Sequence, residues 1–124
     1  MIETKQLLIN PHHIRTVTKN VFITVVQGLQ IVFKDGSAIY LDRHDDKIDP
    51  EKVCNEIRSM QAKPINYSPV DFNGQLINLN NVIVVFRPKT GGQVNVWFAN
   101  ADKSVIIKTD NVETLWNLLK GEGS

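Results

Sequence analysis

One small unit is written twice in this chain, and that restricts its folds more than any other feature. Leu7 to Val17, "LLINPHHIRTV", lies over Gln75 to Val85, "QLINLNNVIVV", without a gap, so that Leu8, Ile9, Asn10, Ile14 and Val17 fall on Leu76, Ile77, Asn78, Val82 and Val85. The hairpin-like stretch "LQIVFKDGSAIYLD", Leu29 to Asp42, has its counterpart in "VNVWFANADKSVIIKTD", Val94 to Asp110, with a slightly longer turn. Downstream, "DPEKVCNEI" (Asp49 to Ile57) is matched by "NVETLWNLL" (Asn111 to Leu119), which sets Glu51, Val53, Asn55 and Ile57 on Glu113, Leu115, Asn117 and Leu119.

Each copy reads as several short strands closed by one helix. Period-two alternation places strands over Ile14 to Thr18, Val21 to Val26, Leu29 to Phe33 and Ser37 to Leu41, with "KN", "QG" and "KDG" as turns, because Asn, Gly and Asp-Gly tolerate left-handed backbone. In the second copy, Val82 to Phe86, Val94 to Phe98 and Ser104 to Ile107 are separated by "RPKTGG" and "ANADK". It lacks a counterpart of "TKNVFITVVQG", so the first copy carries an extra strand or arm. Asp49 and Asn111 suit helix N-caps, and Pro50 suits the first helical position. "MQAKPINYSPVDFNG", Met60 to Gly74, reads as an extended connector, and Gly121 ends the second helix.

The resulting fold class is α+β: a tandem duplication of a strand meander followed by one helix, mostly antiparallel sheet, with paired small β-barrels carrying peripheral helices as the alternative. The first repeat spans 1–62, a connector 63–74 and the second repeat 75–121, packed as one compact unit. A meander with one short helix buries too little apolar surface to stand alone, and pairing two copies doubles the shared core. The sharper alternative is that the two copies make a continuous sheet or groove that holds a partner.

Composition narrows the function. A chain of 124 residues with 42% apolar residues can build a packed core, and a formal net charge of +1 points neither to a strongly basic nucleic-acid binder nor to an acidic tail. Cys54 has no second cysteine with which to form a disulfide or thiolate metal site. "MIETKQLLIN" has neither the charge order nor the apolar run of a signal peptide or membrane span. The expectation is a cytoplasmic protein without membrane contact; a phage or virion component would carry the same signature.

Residues suited to catalysis are sparse. His12 and His13 are adjacent, so on a strand they would face opposite ways, and asparagines stand at both positions in the second copy. His44, with Asp45 and Asp46, is the other hard-ligand candidate, and a solvated polar loop accounts for it as well. Cys54 falls on the apolar side of the first helix, where a thiol behaves as a small hydrophobe. "TGG" at Thr90 to Gly92 fits a hairpin hinge, not a phosphate loop. No catalytic, metal or cofactor site is assigned, and the class expected is non-enzymatic.

Apolar residues where a lone sheet should be polar say more. Val94, Val96 and Phe98 share one face of their strand, so Trp97 projects with Asn95 from the other, as Val32 does with Gln30 in the first copy. "VIVVFR" from Val82 is apolar on both faces, the pattern of a strand covered on two sides, and "VFITVV" from Val21 is similar. The leading expectation is a binding or assembly module forming a homo-oligomer through apolar strand faces, with Val21, Ile23, Val25, Trp97 and Asn95 at the interface. The alternative is single-stranded nucleic-acid binding, with Trp97 stacking on bases and Arg15, Lys19, Lys34, Arg87, Lys89 and Lys103 meeting phosphates.

In element order, tandem strand-rich units each closed by a helix resemble the repeats of the Whirly and PUR single-stranded nucleic-acid binders. The string "IN..HI..V" with "DGSAIYLD" and a "DPEKV" helix start resembles small flagellar-operon proteins of bacteria. No site residue is carried over from either resemblance.

Overall fold

The computed structural model describes residues 1–23, 26–43, 46–63 and 66–121. The order strand, strand, 3-10 turn, three strands, helix runs through the chain twice. First come β1 (Ile2–Glu3), β2 (Leu7–Ile9), a turn over Pro11–His13, β3 (Ile14–Ile23), β4 (Val26–Phe33), β5 (Ala38–Asp42) and α1 (Pro50–Gln61). Then come β6 (Val70–Phe72), β7 (Gln75–Ile77), a turn over Leu79–Asn81, β8 (Val82–Phe86), β9 (Gln93–Phe98), β10 (Val105–Lys108) and α2 (Val112–Leu119). The protein is α+β with antiparallel sheets, and none of them closes into a barrel among the described residues. The paired-barrel alternative is therefore set aside.

Register agrees between the halves in detail. Ile14↔Phe33, Thr16↔Val32 and Val17↔Ile31 in β3–β4 correspond to Val82↔Phe98, Val84↔Trp97 and Val85↔Val96 in β8–β9, and both ladders slip at the residue after the first pair, Arg15 or Ile83. Asn10 and Asn78 each cap their 3-10 turn, accepting from the amides of His12 at 3.0 Å and Asn80 at 3.1 Å. An ion pair ties the third strand of each half to its helix: Lys19 to Glu51 at 2.9 Å, and Arg87, just past β8, to Glu113 at 2.6 Å.

The strands do not stay within their halves. The β1–β2 hairpin adds to the edge of β8, giving the five-stranded sheet β1-β2-β8-β9-β10, while β3-β4-β5 and β6-β7 form sheets of their own. On one face of the large sheet, Leu8, Val85, Val94 and Val96 pack with Leu115, Trp116 and Leu119 of α2 and with the β6–β7 hairpin. On the other, Ile9, Ile83 and Val84 join Leu29, Ile31 and Phe33 of the three-stranded sheet and Val53 and Ile57 of α1. Burial of Val82, Ile83, Val84 and Val85 on two sides explains the doubly apolar pattern of that strand, and intramolecular packing is enough to cover it.

Several local expectations differ from what forms. β3 runs straight through "KN" and β4 through "QG"; the two pair as far as Ile23↔Val26, so the extra segment of the first half lengthens one hairpin instead of adding a strand. A ladder shift between Thr18 and Val21 absorbs the Asn20 signal as a bulge, where turn-prone residues also occur. Within the expected connector, Val70–Phe72 is a strand paired with Gln75–Ile77, closed by Asn73 and Gly74 with φ of 50° and 79°, the left-handed pair that a two-residue hairpin turn needs. Asp49 caps α1 by accepting from the Glu51 amide at 3.1 Å, but Asn111 makes no side-chain cap; its own amide donates to Thr109 Oγ1 at 3.0 Å.

Candidate binding surface around Trp97

The two hairpins that the sequence repeats meet at one cleft. At the β4–β5 tip, Asp35 accepts from the Ser37 amide at 2.9 Å and its hydroxyl at 2.6 Å, and Gly36 supplies a φ of 92°. These bonds, the hydroxyl's above all, hold the Asp35 carboxyl below its ordinary range. At the start of the β9–β10 turn, the Ala99 amide donates to Asn81 O at 2.8 Å, and Asn100 adopts a φ of 63°. Between them lies a cleft of about 410 Å³ whose apolar wall includes Phe33, Ile39, Val84 and Trp97, with Asp35 and Asp102 also lining it.

Trp97 stands where alternation puts it. Val94 and Val96 are fully buried against α2, so the residues between and after them face outward, and Trp97 is 41% exposed. Asn95 pairs with Ile106, which places Ile106, 52% exposed, on the same face as Trp97. The corresponding face of the three-stranded sheet carries Gln30 opposite Tyr40, whose hydroxyl accepts from Gln30 Nε2 at 3.1 Å. Val25, and the side chains of Val21 and Ile23, lie outside the described residues, so Trp97 and Asn95 are the interface candidates whose surroundings the structure describes.

The basic candidates are dispersed. Arg15 turns back onto the backbone, donating to Phe33 O at 3.1 Å and Lys34 O at 3.4 Å, and with Lys34 it lies near the tip of β4–β5. Lys103 follows Trp97 in the β9–β10 connection. Arg87 and Lys89 belong to the other end of β9, where Arg87 pairs with Glu113 and sits 4.4 Å over the Trp116 ring. Lys19 is engaged by Glu51 on α1. Three of the six cations thus fall toward the Trp97 end of the sheets, and the others do not.

His12 and His13 occupy a 3-10 turn, not a strand. His13 Nε2 is 2.7 Å from Asn80 O, joining the two turns. His12 Nε2 is buried without a partner among the described residues, and burial, then Lys34 and His13, lowers its pKa. Among the described residues no three His, Cys, Asp or Glu side chains are grouped to hold a metal ion, and His44 and Asp45 lie outside those residues. Cys54 is half-buried beside Val17, and burial pushes its thiol up, away from the nucleophilic form. No described helix is long and apolar enough to cross a membrane.

No protein-family model, curated protein or solved structure matches the chain.

Alternation found Trp97 and Asn95, but Phe33, Ile39, Asp35 and Asp102 were not legible as neighbours of Trp97. What brings them together is the stacking of two separate sheets, which depends on β2 crossing to β8. No local pattern carries that information.

Proposed function

We propose that the protein is a non-enzymatic binding or assembly module that self-associates through apolar strand faces, with Trp97 at the centre. The observation that carries this reading is a tryptophan, 41% exposed, on one sheet face with an exposed Ile106 and at the wall of an apolar cleft. Tryptophan in a partly open, apolar setting gains most when a partner completes its burial. A reducing, cytoplasmic setting suits a chain whose single cysteine lies half-buried on a helix.

The single-stranded nucleic-acid reading has less support. Stacking on Trp97 would bring phosphates toward Asp35 and Asp102, while Arg87 and Lys89 lie at the far end of the strand. Labelled oligonucleotides at low salt, where phosphate contacts are strongest, should not bind; binding that weakens steeply with salt would restore that reading.

Mass in solution by light scattering, at low and high salt, tests the proposal. A salt-resistant oligomer is expected, and Trp97→Ser with Ile106→Lys should reduce its mass without unfolding the chain. A monomeric parent, or a mass untouched by both substitutions, sinks it.

A further inference from the structure

The two halves spend their leading hairpins differently. β2 lies along β8 with Leu7↔Phe86, Leu8↔Val85 and Ile9↔Val84, and Leu8 is fully buried beside α2. Next to it, Glu3 on β1 accepts from Trp116 Nε1 at 2.8 Å and pairs with Lys120 Nζ at 3.2 Å. The strand, leucine and charged residues of this contact have counterparts in the chain, with Cys54 standing where Trp116 does, and among the described residues these counterparts are not brought together. Among the described residues β7 pairs only with β6, and Leu76, at the position of Leu8, is 72% exposed. Likewise, among the described residues β3 pairs only with β4, so no described strand lies along the edge corresponding to β8. Along that edge runs a groove of about 240 Å³ lined by Val17, Cys54, Ile57 and Arg58 among others. Asp71 stands where Glu3 does and Arg58 where Lys120 does, and neither has an ionic partner among the described residues.

We infer that β7 of one copy pairs with the β3 edge of a second copy, antiparallel, with Gln75 opposite Thr18, Leu76 opposite Val17 and Ile77 opposite Thr16. Leu76 then fills the groove beside Cys54 and Ile57, and Asp71 meets Arg58. The inference rests on the reading of the protein as self-associating and names a contact distinct from the Trp97 face. A second copy is the occupant because the complementary strand, apolar side chain and charge all sit on this same chain. Within one copy, Val70, Phe72 and Ile77 hold the hairpin in the α2 core, whereas Ile14 and Val17 of β3 belong to the other core. Docking onto another copy leaves that core intact, just as Ile9 keeps to the core of its own half while Leu8 enters the other. Each copy gives one strand and receives one, so two such contacts close a two-fold dimer and leave neither edge free.

Two differently tagged chains test this, one carrying Leu76→Cys and the other Val17→Cys, both with Cys54→Ala, mixed and treated with a short bis-thiol crosslinker. Opposed residues on paired strands bring Cβ atoms to about 5 Å, so a crosslink joining the two tags is expected to dominate. Arg58→Glu on the Val17→Cys chain should cut its yield about fivefold or more, and Asp71→Lys on the other should restore it, since opposite charges across a contact favour the correct pairing. Absence of the mixed product overturns the inference. Trp97→Ser separates the two readings. If it lowers the native mass while no mixed crosslink forms, the Trp97 face stands and the edge pairing fails; if the mixed crosslink persists in it undiminished, the edge pairing holds by itself. A monomeric parent overturns both.

Discussion

The edge of β8 and the edge of β3 begin with the same register, the same ladder slip and the same type of ion pair to a helix, yet among the described residues only the first has a strand laid along it. The difference lies in what the neighbouring helix offers. α2 presents Leu115, Trp116 and Leu119, all fully or almost fully buried, and Leu8 completes that cluster. α1 has Cys54 where α2 has Trp116, and the side beside β3 is left as a groove. Equal backbone templates therefore do not guarantee equal assembly; side-chain volume decides which hairpin is captured within the chain.

The sharpest way to break the comparison is to remove the residue that makes it. Trp116 is 1% exposed, donates to Glu3 and lies under Arg87, so Trp116→Ala should destabilise the fold by about 3–5 kcal/mol through lost burial and the remaining cavity. Its half-buried counterpart is far less committed, and Cys54→Ala should cost less than about 1 kcal/mol. Urea unfolding followed by circular dichroism measures both, and similar midpoints would mean that the two helices do not differ in the way described.

That contrast also marks how far the sequence could be read. Repetition and alternation, with Asp49 and Pro50 opening α1, were enough to place both helices and most of the longer strands, though not the run of β3 and β4 through "KN" and "QG", because each depends on contacts a few residues apart. Ile2–Glu3 and Val70–Phe72 are strands too short for alternation to register; they exist through their pairing with Leu8–Ile9 and Gln75–Ile77. The crossing of β2 to β8 was hidden for another reason. Leu8 and Leu76 are the same residue in the same local string, one fully buried and the other 72% exposed, and no window of sequence around them states which will find a partner. The Trp97 cleft inherits this limit, since its walls come from two sheets.

Those two leucines give the second prediction. Leu8→Ala should cost about 2–5 kcal/mol of folding stability, the range for emptying a packed aliphatic site. Leu76→Ala should stay within about 0.5 kcal/mol, as surface substitutions usually do. Thermal unfolding of the two variants at a concentration where the parent is dissociated keeps self-association out of the measurement. A large loss from Leu76→Ala under those conditions would show that its side chain already serves the isolated fold.

A smaller effect separates the two turn-capping asparagines. Asn10 is 1% exposed, and its Nδ2 donates to Val82 O at 2.9 Å and Leu79 O at 3.4 Å while its Oδ1 takes the His12 amide, so one side chain fixes both turns and the crossing strand. Asn10→Ala leaves these groups without partners in a dry site and should cost about 1–3 kcal/mol. Asn78 is exposed and caps only its own turn, so Asn78→Ala should cost about 1 kcal/mol or less. Equal losses would imply that capping alone, not the bridge from Asn10 to the second half, sets its value.

The smallest effect is electrostatic and belongs to the used edge alone. The Trp116 Nε1 donor chiefly, with Lys120 and more distantly Arg87, draws the Glu3 carboxyl below its ordinary value of about 4.5, although partial burial pushes the other way. A folded-state pKa below the unfolded one means that the unfolded chain binds more protons across that window, so stability rises with pH there. The contribution is complete above the ordinary carboxylate value and is lost as the pH falls through the depressed one. Glu3 is 45% exposed, so water screens the pairing with Lys120 and the change should be modest. Glu3→Gln keeps an oxygen for the indole but removes the titration; its stability should fall less steeply than the parent's below about pH 4.5 and differ most from it near neutrality. Parallel pH profiles for the two proteins would mean that the indole bond and the lysine do not discriminate between the charged and neutral acid, and that the hairpin is held on β8 by its backbone and Leu8 alone.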